Sequence, residues 1–186
     1  MLPSNTALII IDFQKAIDHP SWGQRNNSQA EANAVNLLQA WRKSSYPVIH
    51  IRHNSRDPSS PYRPRQTGND FKKEFLPLSN ETVISKQTNS AFIGTDLESW
   101  LRTNNFTTLV IVGVATNNSV EATVRMGGNL GFEVYLVSDA TFTFDRVDWS
   151  GHYRSAQEVH DMSLANLNKE YCTVADTMTI LKLLGL

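Results

Sequence analysis

Short runs of apolar, often β-branched residues recur along the chain, and most of them end at a polar residue or a glycine. Such runs are typical of strands that are buried on both faces, as the strands of parallel sheets are. The chain therefore predicts a series of short strands. They cover residues 7–11, 47–51, 82–84, 108–114, 132–137 and 172–174.

Between most of these runs, apolar residues recur at helical spacing. Residues 28–45 place apolar side chains on one helical face from Ala30 to Trp41, and Ser28 is the predicted N-cap. Strands that alternate with helices predict parallel βαβ units and hence an α/β fold, a three-layer α/β/α, Rossmann-like sandwich with a mainly parallel sheet of about six strands. Residues 1–186 are expected to form a single domain. The predicted helices cover residues 28–45, 95–102, 120–130, 155–168 and 176–184.

One long stretch, residues 53–80, interrupts this alternation. It is rich in Pro, Ser, Arg and Asn and shows no periodicity. A connection of this length inside a compact domain is usually either a functional lid or disordered. As a lid, it would close over the site and decide which substrate binds. The basic residues between 52 and 73 are interpreted as the face of a solvated loop and not as a phosphate-binding groove.

Composition and charge exclude several classes of function. The 186 residues include 17 basic and 18 acidic side chains, for a net charge of −1, so neither nucleic acid nor a membrane surface is an expected partner. No segment approaches the roughly 20 apolar residues that span a bilayer, and the first predicted strand begins too early to leave room for a signal peptide. Cys172 is the only cysteine, which excludes a disulfide framework and a cysteine-rich zinc site. We therefore expect a cytoplasmic protein.

The segment TTLVIVGVATNNSVEAT (107–123) is the most informative in the chain. Its apolar run from Leu109 to Val114 predicts a buried central strand, and residues 120–130 predict a helix. Ser119 therefore lies where a strand turns into a helix, at the carboxyl edge where open α/β sheets bind ligands. The unpaired N–H groups of the first helical turn and the helix dipole favour negative charge at that position. This is the geometry expected around a nucleophile.

Three candidate catalytic residues follow different predicted strands. Asp12 follows the first strand, Lys86 the third and Ser119 the fourth. Because the carboxyl ends of parallel strands share one edge of the sheet, the three side chains can meet in one pocket. A carboxylate can take a proton, a lysine can keep that carboxylate ionised, and a hydroxyl at a helix start can attack a carbonyl. Taken singly, each residue also fits a structural role, as a helix cap, a surface lysine or a capping serine.

Four segments carry a common pattern in the same order. They are ALIIIDFQ (7–14), VISKQTNSAFIGTDLESWLR (83–102), VGVATNNSVEAT (112–123) and GFEVYLVSDAT (131–141). Together they resemble the isochorismatase-like hydrolase superfamily, which includes nicotinamidases, N-carbamoylsarcosine amidohydrolases and isochorismatases. The first two segments are similar to the strands that carry the family's catalytic aspartate and lysine. The third is similar to its elbow, Gly-x-x-Thr-x-x-Cys-Val.

The resemblance implies a role for each of the three candidate residues. Asp12 would be the general base, Lys86 its partner, and Ser119 would occupy the position of the nucleophile. It also implies a cis peptide bond between Val114 and Ala115, with the N–H groups of Ala115 and Ser119 forming an oxyanion hole. Because members of this superfamily are commonly dimers or tetramers, we expect a homodimer or a homotetramer.

Ser119 departs from the family pattern, because the amidohydrolases carry cysteine at this position. A thiol, with a pKa of about 8.5, ionises far more readily than a serine hydroxyl, which normally needs a histidine or lysine base. Three interpretations stay open: a slow nucleophile, an orienting hydrogen-bond donor, or the residue of an inactivated site, natural or engineered. Isochorismatases imply that the superfamily also works without the thiol, since vinyl-ether hydrolysis needs an acid and no acyl-enzyme.

No metal and no cofactor are expected. Nicotinamidases place an Asp-x-His-x-x-His type of site after the second strand, whereas this chain has HIRHNSRDPSSP (50–61) there. His50 and His53 lack the matching acid and histidine, and zinc needs three or four ligands. The two are interpreted as strand-end histidines that line a pocket or cap the backbone. Cys172 is predicted to lie in the core, and His160 on a helix face or at a subunit contact.

These observations predict hydrolysis of a C–N amide-type bond of a small molecule. One alternative is isochorismatase-type ether hydrolysis, in which Asp12 acts as an acid and no covalent intermediate forms. Another is a catalytically impaired homologue that only binds its ligand. The residues predicted to contact the substrate are Phe13, Tyr62, Phe92, Thr116 and Phe142.

Overall fold

The computed structural model describes residues 1–186 and contains a six-stranded sheet in which every neighbouring pair of strands is parallel. The first five strands are β1 (Thr6–Ile11), β2 (Val48–His53), β3 (Thr82–Lys86), β4 (Thr108–Val114) and β5 (Glu133–Phe142). A separate antiparallel hairpin consists of β6 (Arg146–Val147) and β7 (Tyr153–Arg154), and β8 (Thr173–Ala175) completes the main sheet. The spatial order is β3-β2-β1-β4-β5-β8, so the winding direction reverses between β1 and β4, where open α/β sheets bind ligands.

Five helices cover the two faces of this sheet: α1 (Ala30–Lys43), α2 (Leu97–Thr103), α3 (Glu121–Asn129), α4 (Ala156–Leu167) and α5 (Thr177–Leu184). Helices α1 and α5 pack on one face with Leu8 and Ile10 of β1. Helices α2, α3 and α4 pack on the other face with Ile9 and Ile11. Successive residues of β1 thus enter two different cores, which explains why the strand is apolar throughout and confirms the predicted α/β/α sandwich. No helix is both long and apolar enough to cross a membrane.

One predicted helix start is wrong. Helix α1 begins at Ala30, and its N-cap residue is Gln29 and not Ser28, without a side-chain capping bond. A serine shortly before a helix favours a cap but does not fix the first helical residue. Helix α3 begins at Glu121, one residue after the predicted start, and a π-turn over Thr116–Val120 that the sequence pattern did not predict precedes it. Such π-turns are often found at functional sites.

Strand β5 is longer than its apolar pattern predicts. It continues to Phe142, whereas the apolar run ends near Val137. A register shift in the pairing with β4 brings Thr141 opposite Gly113 and Phe142 opposite Val114. A bulge of this kind adds residues to one strand without changing the partner, so the sequence pattern alone does not reveal it.

The segment 53–80 is packed against the body of the protein, so the alternative that it is disordered is wrong. Tyr62 and Phe75 are buried within it. The Asn69 side chain donates hydrogen bonds to the carbonyl oxygens of His53 at 2.9 Å and of Tyr62 at 2.8 Å. The segment is held by individual side chains such as these, and they produce no periodic pattern in the sequence. Its role as a lid stays a prediction.

A buried carboxylate connects the end of this segment to α1 and β2. Glu81 accepts hydrogen bonds from the Arg42 guanidinium at 2.6 and 2.8 Å, from the Leu78 N–H at 2.8 Å and from His50 Nε2 at 2.9 Å. Burial by itself raises the pKa of the Glu81 carboxyl, but these hydrogen bonds outweigh it and lower the pKa from 4.5 to about 2. His50 is therefore a buried mid-strand residue, and its prediction as a pocket-lining or backbone-capping histidine is wrong.

We expect Glu81→Gln to lower the free energy of unfolding by about 1–3 kcal/mol near pH 7, because Arg42 and His50 lose a charged acceptor. The pKa of Glu81 is lower in the folded state than in the unfolded state. Its contribution to stability is therefore complete above pH 4.5 and disappears as the pH falls to about 2. Urea unfolding at several pH values should show the difference between wild type and variant shrinking over that window.

The matched control for this change is Glu98→Gln. Glu98 forms an exposed pair with Arg102 one helical turn away. Exposed pairs of this kind contribute little, so we expect a loss below about 0.5 kcal/mol. Equal losses in the two variants would contradict the assignment of Glu81 as the stabilising carboxylate.

Candidate active site

The structure brings Asp12, Lys86 and Ser119 together at the carboxyl edge of the sheet. Asp12 directly follows β1, Lys86 is the last residue of β3, and Ser119 lies in the π-turn after β4. All three are buried, with relative exposures of 3%, 1% and 6%. Because β2 lies between β3 and β1, the long Lys86 side chain crosses the end of β2 to reach the other two residues. Three distant parts of the sequence thus form one polar cluster.

The Lys86 ammonium lies at the centre of this cluster. Its Nζ donates to Asp12 Oδ2 at 2.7 Å and to Ser119 Oγ at 3.1 Å, and it lies 3.3 Å from His53 Nδ1. An ammonium group has three protons and no lone pair, so these three acceptors use all of its protons. Lys86 in this state can hold the carboxylate and stabilise charge on the hydroxyl oxygen, but it cannot act as a base.

One carboxylate oxygen of Asp12 has no partner. Oδ2 is bound by Lys86, whereas Oδ1 is buried and accepts no hydrogen bond. A buried acceptor without a hydrogen-bond donor costs folding free energy, so its presence in a native structure often reflects a function. The Asp12 backbone is also unusual, with φ at 55° in the left-handed region. Together these features present an unoccupied proton acceptor in the same cluster as the Ser119 hydroxyl.

The end of β4, just before the turn that carries Ser119, approaches β1 closely. Gly113 has a φ of +132°, and a Cβ atom there would lie 2.2 Å from the carbonyl oxygen of Ile11, so only glycine fits. The peptide bond between Val114 and Ala115 is cis. The N–H of Ala115 donates no hydrogen bond within the protein. It is therefore available to an oxygen of a ligand, which is what an oxyanion hole requires.

Two of the residues predicted to contact substrate lie beside the cluster or its turn. Tyr62 donates its hydroxyl to the carbonyl oxygen of Asp12 at 3.3 Å. Thr116 begins the π-turn, but its Oγ1 lies 2.8 Å from Nδ1 of His160 and is already hydrogen-bonded. His160 is only 2% exposed, so it lies on the buried face of α4, as one of its two predicted roles has it, and the other, a subunit contact, is wrong. Helix α4 turns it inwards, where burial lowers its pKa and the neutral ring supports the turn.

The three predicted phenylalanines pack in the two cores. Phe13 stacks on Phe75 with ring centres 4.2 Å apart, and Phe142 lies 6.3 Å from Phe13. Phe92 packs in the core on the opposite face of the sheet and stacks on Phe132 at 5.8 Å. The structure therefore does not bring the three rings together, and their contact with substrate stays a prediction.

Two further residues belong with the cluster: His53, which was predicted as a strand-end histidine and does end β2, and Gln14, which sequence reasoning missed. His53 is the register partner of Lys86 in the β2–β3 pair, which explains why the two side chains meet. Gln14 is completely buried, and its side chain accepts a hydrogen bond from the His53 N–H at 2.7 Å and donates to the His53 carbonyl oxygen at 3.0 Å. The signal for a contact between His53 and Lys86 was present, because each residue follows its predicted strand, 47–51 or 82–84, by two positions. Nothing in the apolar pattern pointed to Gln14.

Three other features of the molecule bear on the site: the Cys172 thiol, the possible metal ligands and a large cavity. Cys172 is buried as predicted, and burial raises the pKa of its thiol to about 12. No group of three or more His, Cys, Asp or Glu side chains is placed to bind a metal ion. The largest cavity, about 910 Å³, lies between the β6–β7 hairpin and α4 and reaches the π-turn only at Asn117. Asp12, Lys86 and Ser119 do not line this cavity.

A family model and two known proteins match this chain over nearly its whole length, and a third protein matches part of it. The family model described as the isochorismatase domain matches residues 6–179. A crystal structure of an isochorismatase-family protein from Chromobacterium violaceum is 58% identical and has a TM-score of 0.96, covering 100% of this chain and 96% of that chain. The isochorismatase family protein YrdC of Bacillus subtilis is 45% identical over 171 residues, which are 92% of this chain and 91% of YrdC. Ureidoacrylate amidohydrolase RutB of Methylobacterium radiotolerans is 32% identical over 109 residues, 59% of this chain and 38% of RutB.

Proposed function

The chain belongs to the isochorismatase family of hydrolases, and we propose that it cleaves a C–N amide-type bond of a small molecule with Asp12, Lys86 and Ser119. The observation that carries this proposal is the unequal use of the two Asp12 oxygens. Oδ2 is held by Lys86, whereas Oδ1 has no partner. A carboxylate with one oxygen held by a lysine and the other without a hydrogen-bond partner is suited to accept a proton from a nucleophile. The similarity to RutB, an amidohydrolase by name, supports the choice of an amide.

In the first half of the proposed reaction, Ser119 Oγ attacks the carbonyl carbon of the substrate while its proton passes to Asp12 Oδ1. Lys86 Nζ, which lies 3.1 Å from Oγ, stabilises the negative charge that develops on this oxygen. The electron pair of the C=O bond moves to the carbonyl oxygen, which accepts a hydrogen bond from the Ala115 N–H. The intermediate then collapses, the C–N bond breaks, and the amine leaves with the proton from Asp12.

In the second half, a water molecule hydrolyses the acyl-serine ester. Asp12 takes one proton of the water while the hydroxide oxygen bonds to the acyl carbon. The ester bond to Ser119 then breaks, and Oγ recovers its proton from Asp12. The sum is one amide and one water converted into one acid and one amine, so the atoms balance without a co-reactant.

Ser119 itself favours a second candidate, which is hydrolysis without a covalent intermediate. The resembling amidohydrolases carry a cysteine at this position, and a serine is the weaker nucleophile. Asp12 would then activate water directly or protonate a vinyl ether, as in isochorismatase-type chemistry. Because Asp12 is ion-paired with Lys86, accepting a proton suits it better than donating one. We therefore place the amide reaction first.

The experiment that tests the proposed function is a substrate panel of small amides, ureas and isochorismate. Product release is followed together with the intact mass of the protein after acid quenching. We expect turnover of an amide and an acyl adduct on the peptide that contains Ser119. Turnover of the ether alone, without an adduct, would replace the proposal with the second candidate. Thermal stabilisation by a panel member without any turnover would indicate a homologue that only binds.

We also propose that the enzyme is cytoplasmic and forms a homodimer or a homotetramer. The free thiol of Cys172 supports a reducing compartment. The β6–β7 hairpin supports self-association, because Trp149 is 99% exposed and Tyr153 is 62% exposed. Large apolar side chains grouped on one surface often mark a contact with another protein chain.

A further inference from the structure

His53 carries a hydrogen-bond donor whose position in the ring is set by Lys86. His53 Nδ1 lies 3.3 Å from the Lys86 ammonium, which can only donate, so Nδ1 is the acceptor. Burial lowers the pKa of His53, and the charge of Lys86 lowers it further against the opposite effect of Asp12. The neutral ring therefore prevails near pH 7, and its single proton lies on Nε2.

The Nε2–H group of His53 is unused and accessible. No protein atom accepts a hydrogen bond from it, whereas Nδ1 has Lys86 as its partner. Nε2 is also not among the fully buried side-chain atoms that lack a partner, a set that does include Asp12 Oδ1. A small molecule can therefore reach this donor. It lies on the same side chain that contacts the centre of the polar cluster.

The His53 backbone and ring are firmly held. The Gln14 side chain accepts from the His53 N–H at 2.7 Å and donates to its carbonyl oxygen at 3.0 Å, and Asn69 donates to the same oxygen at 2.9 Å. The Tyr62 ring packs against the imidazole in an edge arrangement at 5.5 Å. A donor that is held in this way loses little freedom when it binds a ligand, which is typical of a pre-organised binding group.

The charge around His53 favours an anion. None of the four arginines in residues 52–65 forms an ion pair with a carboxylate. Arg56 follows His53 by three residues, and its Nε donates to Gln87 Oε1 at 2.7 Å. Gln87 directly follows Lys86, so this hydrogen bond places an unpaired guanidinium at the same edge of the sheet. A guanidinium without a counter-charge attracts carboxylates and holds them by charge-assisted hydrogen bonds.

We propose that His53 binds a carboxylate of the substrate through Nε2–H, and that Arg56 attracts this carboxylate at the rim of the site. The substrate class is then a small amide that also carries a carboxylate group. This inference rests on the proposed amide hydrolysis. The anchored carboxylate positions the scissile carbonyl for Ser119 Oγ and the Ala115 N–H. His53 determines specificity and takes no part in proton transfer.

The test compares amides that differ by a carboxylate. Succinamate is paired with butyramide, and malonamate with propionamide, and kcat/KM is measured for each compound. We expect the carboxylated member of at least one pair to be hydrolysed with about 10- to 100-fold higher kcat/KM, the range that a charged hydrogen bond supplies. In His53→Leu the ratio should fall below about threefold, chiefly through KM. His53→Gln restores an N–H donor and should recover part of the ratio.

Two further variants complete the test: one is a control for the loss of a histidine, and the other tests the role of Arg56. His152→Leu is the matched control, because His152 is an exposed histidine on the hairpin, and it should leave the ratio unchanged. Arg56→Gln should lower the ratio and weaken its dependence on ionic strength, because screening by salt acts on exposed charges.

The outcomes distinguish this inference from the proposed function. Equal hydrolysis of both members of each pair, or an unchanged ratio in His53→Leu, overturns the inference and leaves amide hydrolysis intact. If no amide is hydrolysed, the proposed function fails. The carboxylate-binding role of His53 is then tested by ligand binding alone. A rise in Tm with succinamate but not with butyramide, lost in His53→Leu, supports it. The absence of a rise with succinamate overturns it.

Discussion

Asp12→Asn is expected to lower kcat/KM for amide hydrolysis by at least about 1000-fold, because asparagine cannot accept the proton of the nucleophile. The substitution keeps the shape of the side chain. Asparagine also tolerates the left-handed φ of 55° at this position, so the backbone is not strained by the change. The amide oxygen can still accept a hydrogen bond from Lys86. The variant therefore removes the base while it keeps the surrounding geometry.

The measurement is steady-state kinetics together with the thermal unfolding midpoint. Asp70→Asn is the matched control, since Asp70 forms an exposed ion pair with Lys15 and should leave kcat/KM unchanged. Removing the charge of Asp12 leaves the buried Lys86 ammonium without a counter-charge, which can destabilise the fold. The double variant Asp12→Asn with Lys86→Met removes both charges and keeps the prediction testable. More than about a tenth of wild-type activity in a folded variant of either kind would show that Asp12 is not the base.

The convergence of Asp12, Lys86 and Ser119 follows from a local pattern combined with a general rule. Asp12 directly follows an apolar run, Lys86 ends β3, and Ser119 lies in the turn after β4, while parallel strands present their carboxyl ends at one edge. The resemblance to a known family added the roles of the three residues. No contact needed to be known in advance, because strand direction alone brings these positions to one side of the sheet.

The contacts around the cluster could not be predicted in the same way. Whether His53 faces Lys86 depends on the register of β2 against β3, and a shift of one residue would turn the side chain to the other face. The inward position of His160 depends on the rotation of α4. Its pattern of buried residues, with Ser163 as a polar member, hides which face is buried. Register and rotation are settled by packing between elements that are distant in the sequence.

The segment 53–80 shows a further limit of pattern-based reasoning. Its order depends on single side chains, Asn69 within it and Glu81 directly after it, that satisfy several backbone and side-chain partners at once. A hydrogen bond of this kind leaves no periodic trace, and the residue types are those that are common in solvated loops. Only the hydrogen-bond partners in the folded structure distinguish a buried, structural asparagine from an exposed one.

Ser119→Cys is expected to raise kcat for amides by about 10- to 100-fold, because a thiol ionises near pKa 8.5 whereas a serine hydroxyl does not ionise near neutral pH. Lys86 Nζ lies 3.1 Å from the position of the nucleophilic atom and would stabilise a thiolate there. The three Lys86 protons are committed to acceptors, so the serine enzyme has only Asp12 as a base. Ser99→Cys, which adds a thiol on the exposed surface of α2, is the matched control and should change nothing.

Ser119→Ala completes this argument, because it separates the covalent route from a direct attack by water. On the covalent route, the alanine variant loses at least about 100-fold in kcat, and the acyl adduct on the peptide that contains residue 119 disappears. If the alanine variant keeps most of its activity and cysteine brings no gain, then Ser119 is an orienting group and water is the nucleophile. Asp12 Oδ1, which has no partner, would in that case take the proton of the water directly. The change in kcat in Ser119→Cys and the loss of kcat in Ser119→Ala together therefore show whether Ser119 Oγ or a water oxygen attacks the carbonyl carbon.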